Sequence, residues 1–152
     1  YVIIIHKMLS FIWTHNKTNR YIVSFEDVKA SISNKDYLLI NTLPIDQQEY
    51  LIQNTVASCD EEKVINSILY DSTIPDKPII IYGKHNCDDS VHEKKQQLKN
   101  LGLKDVYIYN GGLFEWLCLQ EIYGVDEFPL HKHHDKDHII DLLKFSPKRY
   151  LV

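Results

Sequence analysis

Three thiols, Cys59, Cys87 and Cys118, are the residues from which nucleophilic chemistry could start. They form no CxxC pair, and their odd number and wide spacing do not suit a secreted disulfide framework. A thiol attacks as thiolate, and a thiolate forms where a helix N-terminus or a cation lowers its pKa. Of the three, Cys87 has that setting. It lies in the polar run Gly83-Lys84-His85-Asn86-Cys87-Asp88-Asp89-Ser90, between an apolar run and an amphipathic one. A short loop that enters a helix curls its amides together and can cradle an anion. Lys84 and His85 would help such a thiolate, whereas Asp88 and Asp89 would raise its pKa and repel an anionic substrate. Asp88-Asp89-Ser90 also suits a helix start, where side-chain oxygens accept free backbone N–H groups. We therefore expect the Asp88 or Asp89 carboxylate, or water, inside the cradle, with the Cys87 side chain turned away from it.

A second cluster is His131-Lys132-His133-His134-Asp135-Lys136-Asp137-His138. On a helix His134 and His138 would share a face and could hold Zn²⁺, but Asp135 stands where an HExxH pattern needs glutamate. A solvated polar linker is the favoured reading, and no metal or other cofactor is expected. His85 and His92 read as loop or surface residues. Phe114, Trp116 and Tyr123 read as core, and Cys118, between Leu117 and Leu119, as a buried inert thiol.

The elements that position these groups follow from period and punctuation. Tyr21-Ile22-Val23 is a short β-branched strand. Ser24 caps a helix whose Phe25, Val28 and Ile32 fall on one face. Tyr37–Ile40 is continuously apolar, as a strand covered on both faces must be. Residues 46–52 read as a short helix, 55–57 as a short strand, and the stretch from Asp60 through Leu69 as a helix. Pro78–Tyr82 is a strand, Ser90–Leu101 a helix ended by Gly102, and Val106–Tyr109 a strand. After the turn Asn110-Gly111-Gly112, a helix runs to Gly124. Another short helix is expected from Asp137 to Lys144. Strands alternating with helices imply an α/β fold, a small parallel sheet with helices on both faces.

Length and composition set outer bounds. A chain of 152 residues accommodates one ordinary domain with extensions. With 44% apolar and 25% charged residues it should fold as a globular protein. A net charge of −4 provides no basic face for nucleic acid. No apolar run reaches the ~20 residues of a membrane span. An odd, scattered set of three cysteines favours a reducing intracellular compartment, the cytoplasm. The only methionine is Met8, so residues 1–7 read as a leader or a fragment edge.

The segment from Pro78 to Pro129 resembles the rhodanese-like family. The resemblance rests on the strand ending at Tyr82, the seven-residue loop, the Leu101-Gly102 helix end, Val106-Tyr107-Ile108-Tyr109, the Gly111-Gly112 pair and Trp116. Ser24–Val28 and Leu38–Asn41 are similar to the family's opening helix and second strand. The resemblance implies three regions: an N-terminal arm over 1–20, the rhodanese-like domain over 21–129 and a His-rich tail over 130–152. Active members have a cysteine directly after the strand, often an arginine in the loop, and usually an aspartate at the end of the second strand. Here those places hold Gly83, no arginine, and Asn41. The resemblance thus implies the scaffold without the catalytic set. A protein-interaction or structural module is expected, with a protein partner or self-association. A module that senses an anion without turnover is a further reading. The enzymatic alternative is a sulfurtransferase that uses Cys87.

Overall fold

The computed structural model describes residues 21–34, 37–71, 77–132 and 144. The expected strands and helices over residues 21–34, 37–41, 58–71 and 77–124 form. In chain order they are β1 (Ile22–Val23), α1 (Phe25–Ser33), β2 (Leu38–Asn41), α2 (Ser58–Tyr70), β3 (Ile79–Tyr82), α3 (Ser90–Asn100), β4 (Val106–Tyr109) and α4 (Gly112–Tyr123). The four strands make one parallel sheet in the order β1-β4-β3-β2. β3, buried along its whole length, lies between β2 and β4.

Strand side chains alternate between the faces, and each face therefore builds its own core. Ile80, Tyr82 and Tyr109 meet Val28 of α1 and Leu113, Trp116 and Leu117 of α4. Ile79, Ile81, Val106 and Ile108 meet Ile65 of α2 and Val91 and Leu98 of α3. Trp116 is fully buried, packs edge-on to Tyr109 and Phe128, and donates from Nε1 to the Pro129 carbonyl at 3.3 Å. α1 starts as its sequence demands, since the Asp27 carboxylate accepts the Ser24 N–H at 2.8 Å.

Two elements differ from expectation. Residues 46–52 form only a 3₁₀ turn, Ile45–Gln47, because the following chain leaves helix geometry to bury Leu51 and Ile52. The Ile52 N–H donates to the Tyr82 hydroxyl at 3.2 Å instead of to a helical carbonyl. Residues 55–57 provide a single bridge, Thr55 to Leu39, instead of a strand. The arm, the segment carrying His134 and His138, and nearly all of the expected last helix lie outside the described residues.

Past Phe128 the chain continues into the domain. Leu130 bridges Ile52 in antiparallel fashion, and the His131 N–H donates to the Leu51 carbonyl at 2.8 Å. No helix among the described residues is long and apolar enough to cross a membrane.

Candidate functional site

A parallel sheet places the loops that follow its strands at one end, where such folds bind ligands. Here that carboxyl end carries the loop Gly83–Asp89 between β3 and α3. Thr42 at the end of β2 stands beside it.

The loop's shape depends on α4. The Leu113 N–H donates to the Gly83 carbonyl and the Phe114 N–H to the Lys84 carbonyl, both at 2.9 Å. These are first-turn donors of α4, which has no side-chain cap. The close approach requires Gly112. Its φ is +63°, and a Cβ there would lie 2.6 Å from the Gly83 carbonyl oxygen.

At the centre of the loop is the Asp88 carboxylate. Oδ2 accepts the Lys84 N–H at 2.9 Å. Oδ1 accepts the Ser90 N–H at 3.1 Å and the Ser90 hydroxyl at 2.6 Å. Ser90 Oγ is also 2.7 Å from Thr42 Oγ1, which ties the loop to β2. Burial pushes the Asp88 carboxyl up. The bonds from Ser90 Oγ, Lys84 N–H and Ser90 N–H, with the nearby His85 charge, outweigh burial and hold it below the usual carboxylate value. The carboxylate thus takes amides from both ends of the loop, as a bound oxyanion would.

The other loop residues are placed differently. Cys87 is exposed; its N–H donates to His85 Nδ1 at 3.2 Å, and its Sγ lies 3.5 Å from Asn86 Oδ1. Lys84 Nζ reaches out to Gln47 Oε1 at 3.2 Å and not into the loop. Asp89 is exposed, and its carbonyl accepts the first α3 amides, His92 and Glu93. Gly83 is buried directly after β3, and a Cβ built on it would lie 2.5 Å from Asp88 Oδ2 and 2.9 Å from Val91 Cγ1.

Beside the loop, between α2 and α3, is a cleft of about 520 Å³ whose lining includes Asn41, Thr42, Ser58 and Ser90 as well as Leu43 and Ile45. The Asn41 Oδ1 accepts the Leu43 N–H at 3.1 Å, so this buried residue shapes the turn after β2. Glu61 and Lys94 close one wall through a 2.6 Å ion pair. Nothing in the sequence singles out Thr42 or this pair. The one available signal is that a polar residue directly after a parallel strand faces the carboxyl-end crevice.

Cys59 is exposed in the first turn of α2, and Cys118 is half-buried rather than buried. Burial, then the Glu115 charge, push the Cys118 thiol up, away from reactivity. Trp116 is core, while Tyr123 and Phe114 are less buried than expected, Tyr123 being exposed at the end of α4. No group of three or more His, Cys, Asp or Glu side chains among the described residues could hold a metal ion.

The sequence profile of the rhodanese-like domain matches residues 24–118. The chain belongs to the rhodanese-like domain family. Solved structures agree on the fold of this rhodanese-like domain. The BH2092 protein of Bacillus halodurans is 15% identical with a TM-score of 0.56, covering 76% of this chain and 82% of that one. A full-length protein from Lactobacillus plantarum is 16% identical with a TM-score of 0.53, covering 76% and 93%. The Alr3790 protein of Anabaena is 15% identical with a TM-score of 0.52, covering 80% and 88%. At such identities the likeness concerns the fold alone. No curated protein matches this chain.

Proposed function

We propose that this rhodanese-like domain has no sulfurtransferase turnover and serves as a protein-interaction or structural module. The observation that carries the reading is the Asp88 carboxylate, which accepts the Lys84 and Ser90 amides inside the loop. The family resemblance calls for a cysteine where Gly83 stands, and the Asp88 carboxylate occupies the space its side chain would need. Cys87 lies four residues further on, exposed, and its own amide is taken by His85. An oxyanion entering the loop would have to displace a bonded carboxylate and then face its charge. The reading requires no cofactor. Three free cysteines, two of them exposed, fit a reducing compartment such as the cytoplasm.

The test is a thiosulfate:cyanide assay on the full chain and on Cys87→Ser. No thiocyanate above the protein-free rate is expected from either. A turnover of ~1 s⁻¹ or more, the ordinary enzyme range, that disappears in Cys87→Ser would overturn the reading. It would establish the sulfurtransferase alternative with Cys87 as nucleophile.

A further inference from the structure

Of the nine large apolar side chains exposed among the described residues, six lie near the amino end of the sheet, opposite the loop. The topology brings them together. Helices of a parallel α/β fold run against the strands, so their C-termini meet the strand starts. Tyr37 precedes β2, Tyr70 ends α2, Leu101 follows α3, and Ile122 and Tyr123 end α4. Val125 follows Tyr123 by two residues, while Tyr21 and Ile22 lie along the β1 edge beside Tyr107 and Ile108. Tyr70 is 85% exposed, Ile122 70% and Leu101 52%. The carboxyl end has only Ile45. Scattered exposed apolar residues need no explanation, but a set concentrated at one end marks a contact surface.

We propose that this end is the docking surface for the chain's own N-terminal segment, residues 1–13. The segment is Tyr-Val-Ile-Ile-Ile-His-Lys-Met-Leu-Ser-Phe-Ile-Trp, apolar at ten of its thirteen positions. It joins the domain at Tyr21, which leads into β1 on the sheet edge beside Tyr107, one residue from the start of β4. The polar stretch Thr14–Arg20 links the two. Thirteen extended residues reach ~43 Å. Four strands at ~4.8 Å spacing with a helix layer ~10 Å thick on each face make an end roughly 30–35 Å across. The segment is long enough to cross it, and covering it would remove apolar surface of both partners from water. This inference does not depend on whether the loop is catalytically silent.

The test uses the full chain with a photo-crosslinking benzoylphenylalanine in place of Phe11, irradiated and mapped by mass spectrometry. Crosslinks within one chain to the neighbourhood of Tyr70, Leu101 or Ile122 are expected. Crosslinks between two copies would mean that the occupant is a second molecule. Crosslinks to the carboxyl end, or none, would mean that the segment does not dock there. Each of these overturns the proposal. A second measurement compares melting temperatures. The triple variant Tyr70→Ser/Leu101→Ser/Ile122→Ser should melt about 3 °C below the full chain, a shift typical of ~1 kcal/mol in a chain of this size. In a chain lacking residues 1–20 the same substitutions should leave Tm unchanged. Equal shifts in both backgrounds would contradict docking at this end.

Discussion

The two ends of the sheet treat their surface groups in opposite ways. At the carboxyl end polar groups converge and the chain satisfies them itself, with Asp88 taking the Lys84 and Ser90 amides and Ser90 Oγ near Thr42 Oγ1. At the amino end large apolar side chains are left facing water. The loop's donors are already bonded, whereas the opposite end presents apolar side chains. The loop is held by hydrogen bonds and glycine geometry, where one atom too many is costly.

The largest effect that would break this contrast is expected from Gly112→Ala. The residue combines a left-handed φ of +63° with a backbone oxygen 2.6 Å from the added Cβ. Left-handed strain costs ~1–2 kcal/mol and the overlap with rigid backbone adds a similar amount, for a total of roughly 3 kcal/mol. A lower denaturant midpoint with unchanged slope is the readout. A change within ~0.5 kcal/mol would mean that α4 does not hold the loop as described.

Gly83→Cys comes next. The new side chain meets the Asp88 carboxylate and Val91 Cγ1, so overpacking of ~1–3 kcal/mol is expected. The variant should also show no thiosulfate:cyanide activity, because the carboxylate remains beside the sulfur and the loop has no arginine. Full activity from this single change would show that the electrostatic part of the account is wrong.

Asp88→Asn should cost ~1–2 kcal/mol at pH 7, the range for a helix-start carboxylate with backbone partners. Its pH dependence carries a sign. The folded carboxyl lies below the unfolded value of ~3.9. Its contribution is therefore present above that value and lost as pH falls through the lower folded one. Between neutral pH and the acid limb the stability gap between wild type and Asp88→Asn should shrink as pH drops. A gap that stays constant down to the unfolding limb would contradict an ionised Asp88 in the loop. The smallest effect is expected from Cys87→Ser, within ~0.5 kcal/mol, since the side chain is exposed. A larger loss, measured by the same denaturant curves, would indicate a structural role for the thiol.

The sheet was legible because its strands are apolar and β-branched between breakers, as Pro78–Tyr82 and Val106–Tyr109 show. The helix starts were legible because capping chemistry is local, as with Ser24 and Asp27. Residues 46–52 misled because helical spacing there competes with a tertiary bond, Ile52 N–H to Tyr82 hydroxyl, that no local pattern encodes. At the site, Asp88 could be read as a helix-start acceptor from its place before Ser90. Its bond to Lys84, four residues back, depends on the curl that α4 imposes through Gly112. Thr42 was not legible, since it reaches Ser90 only through the β2–β3 pairing. The apolar amino end was also hidden, because Tyr37, Tyr70, Leu101 and Ile122 are far apart in sequence and come to one end only through topology.

The most direct test is to follow the Lys84 and Ser90 amide resonances while thiosulfate is added, in the wild-type chain and in Asp88→Gly. If the carboxylate closes the loop, the wild-type amides will not move in a saturable way, and the variant's amides will. Saturable shifts in the wild-type chain, with a persulfide then found on Cys87, would contradict the account.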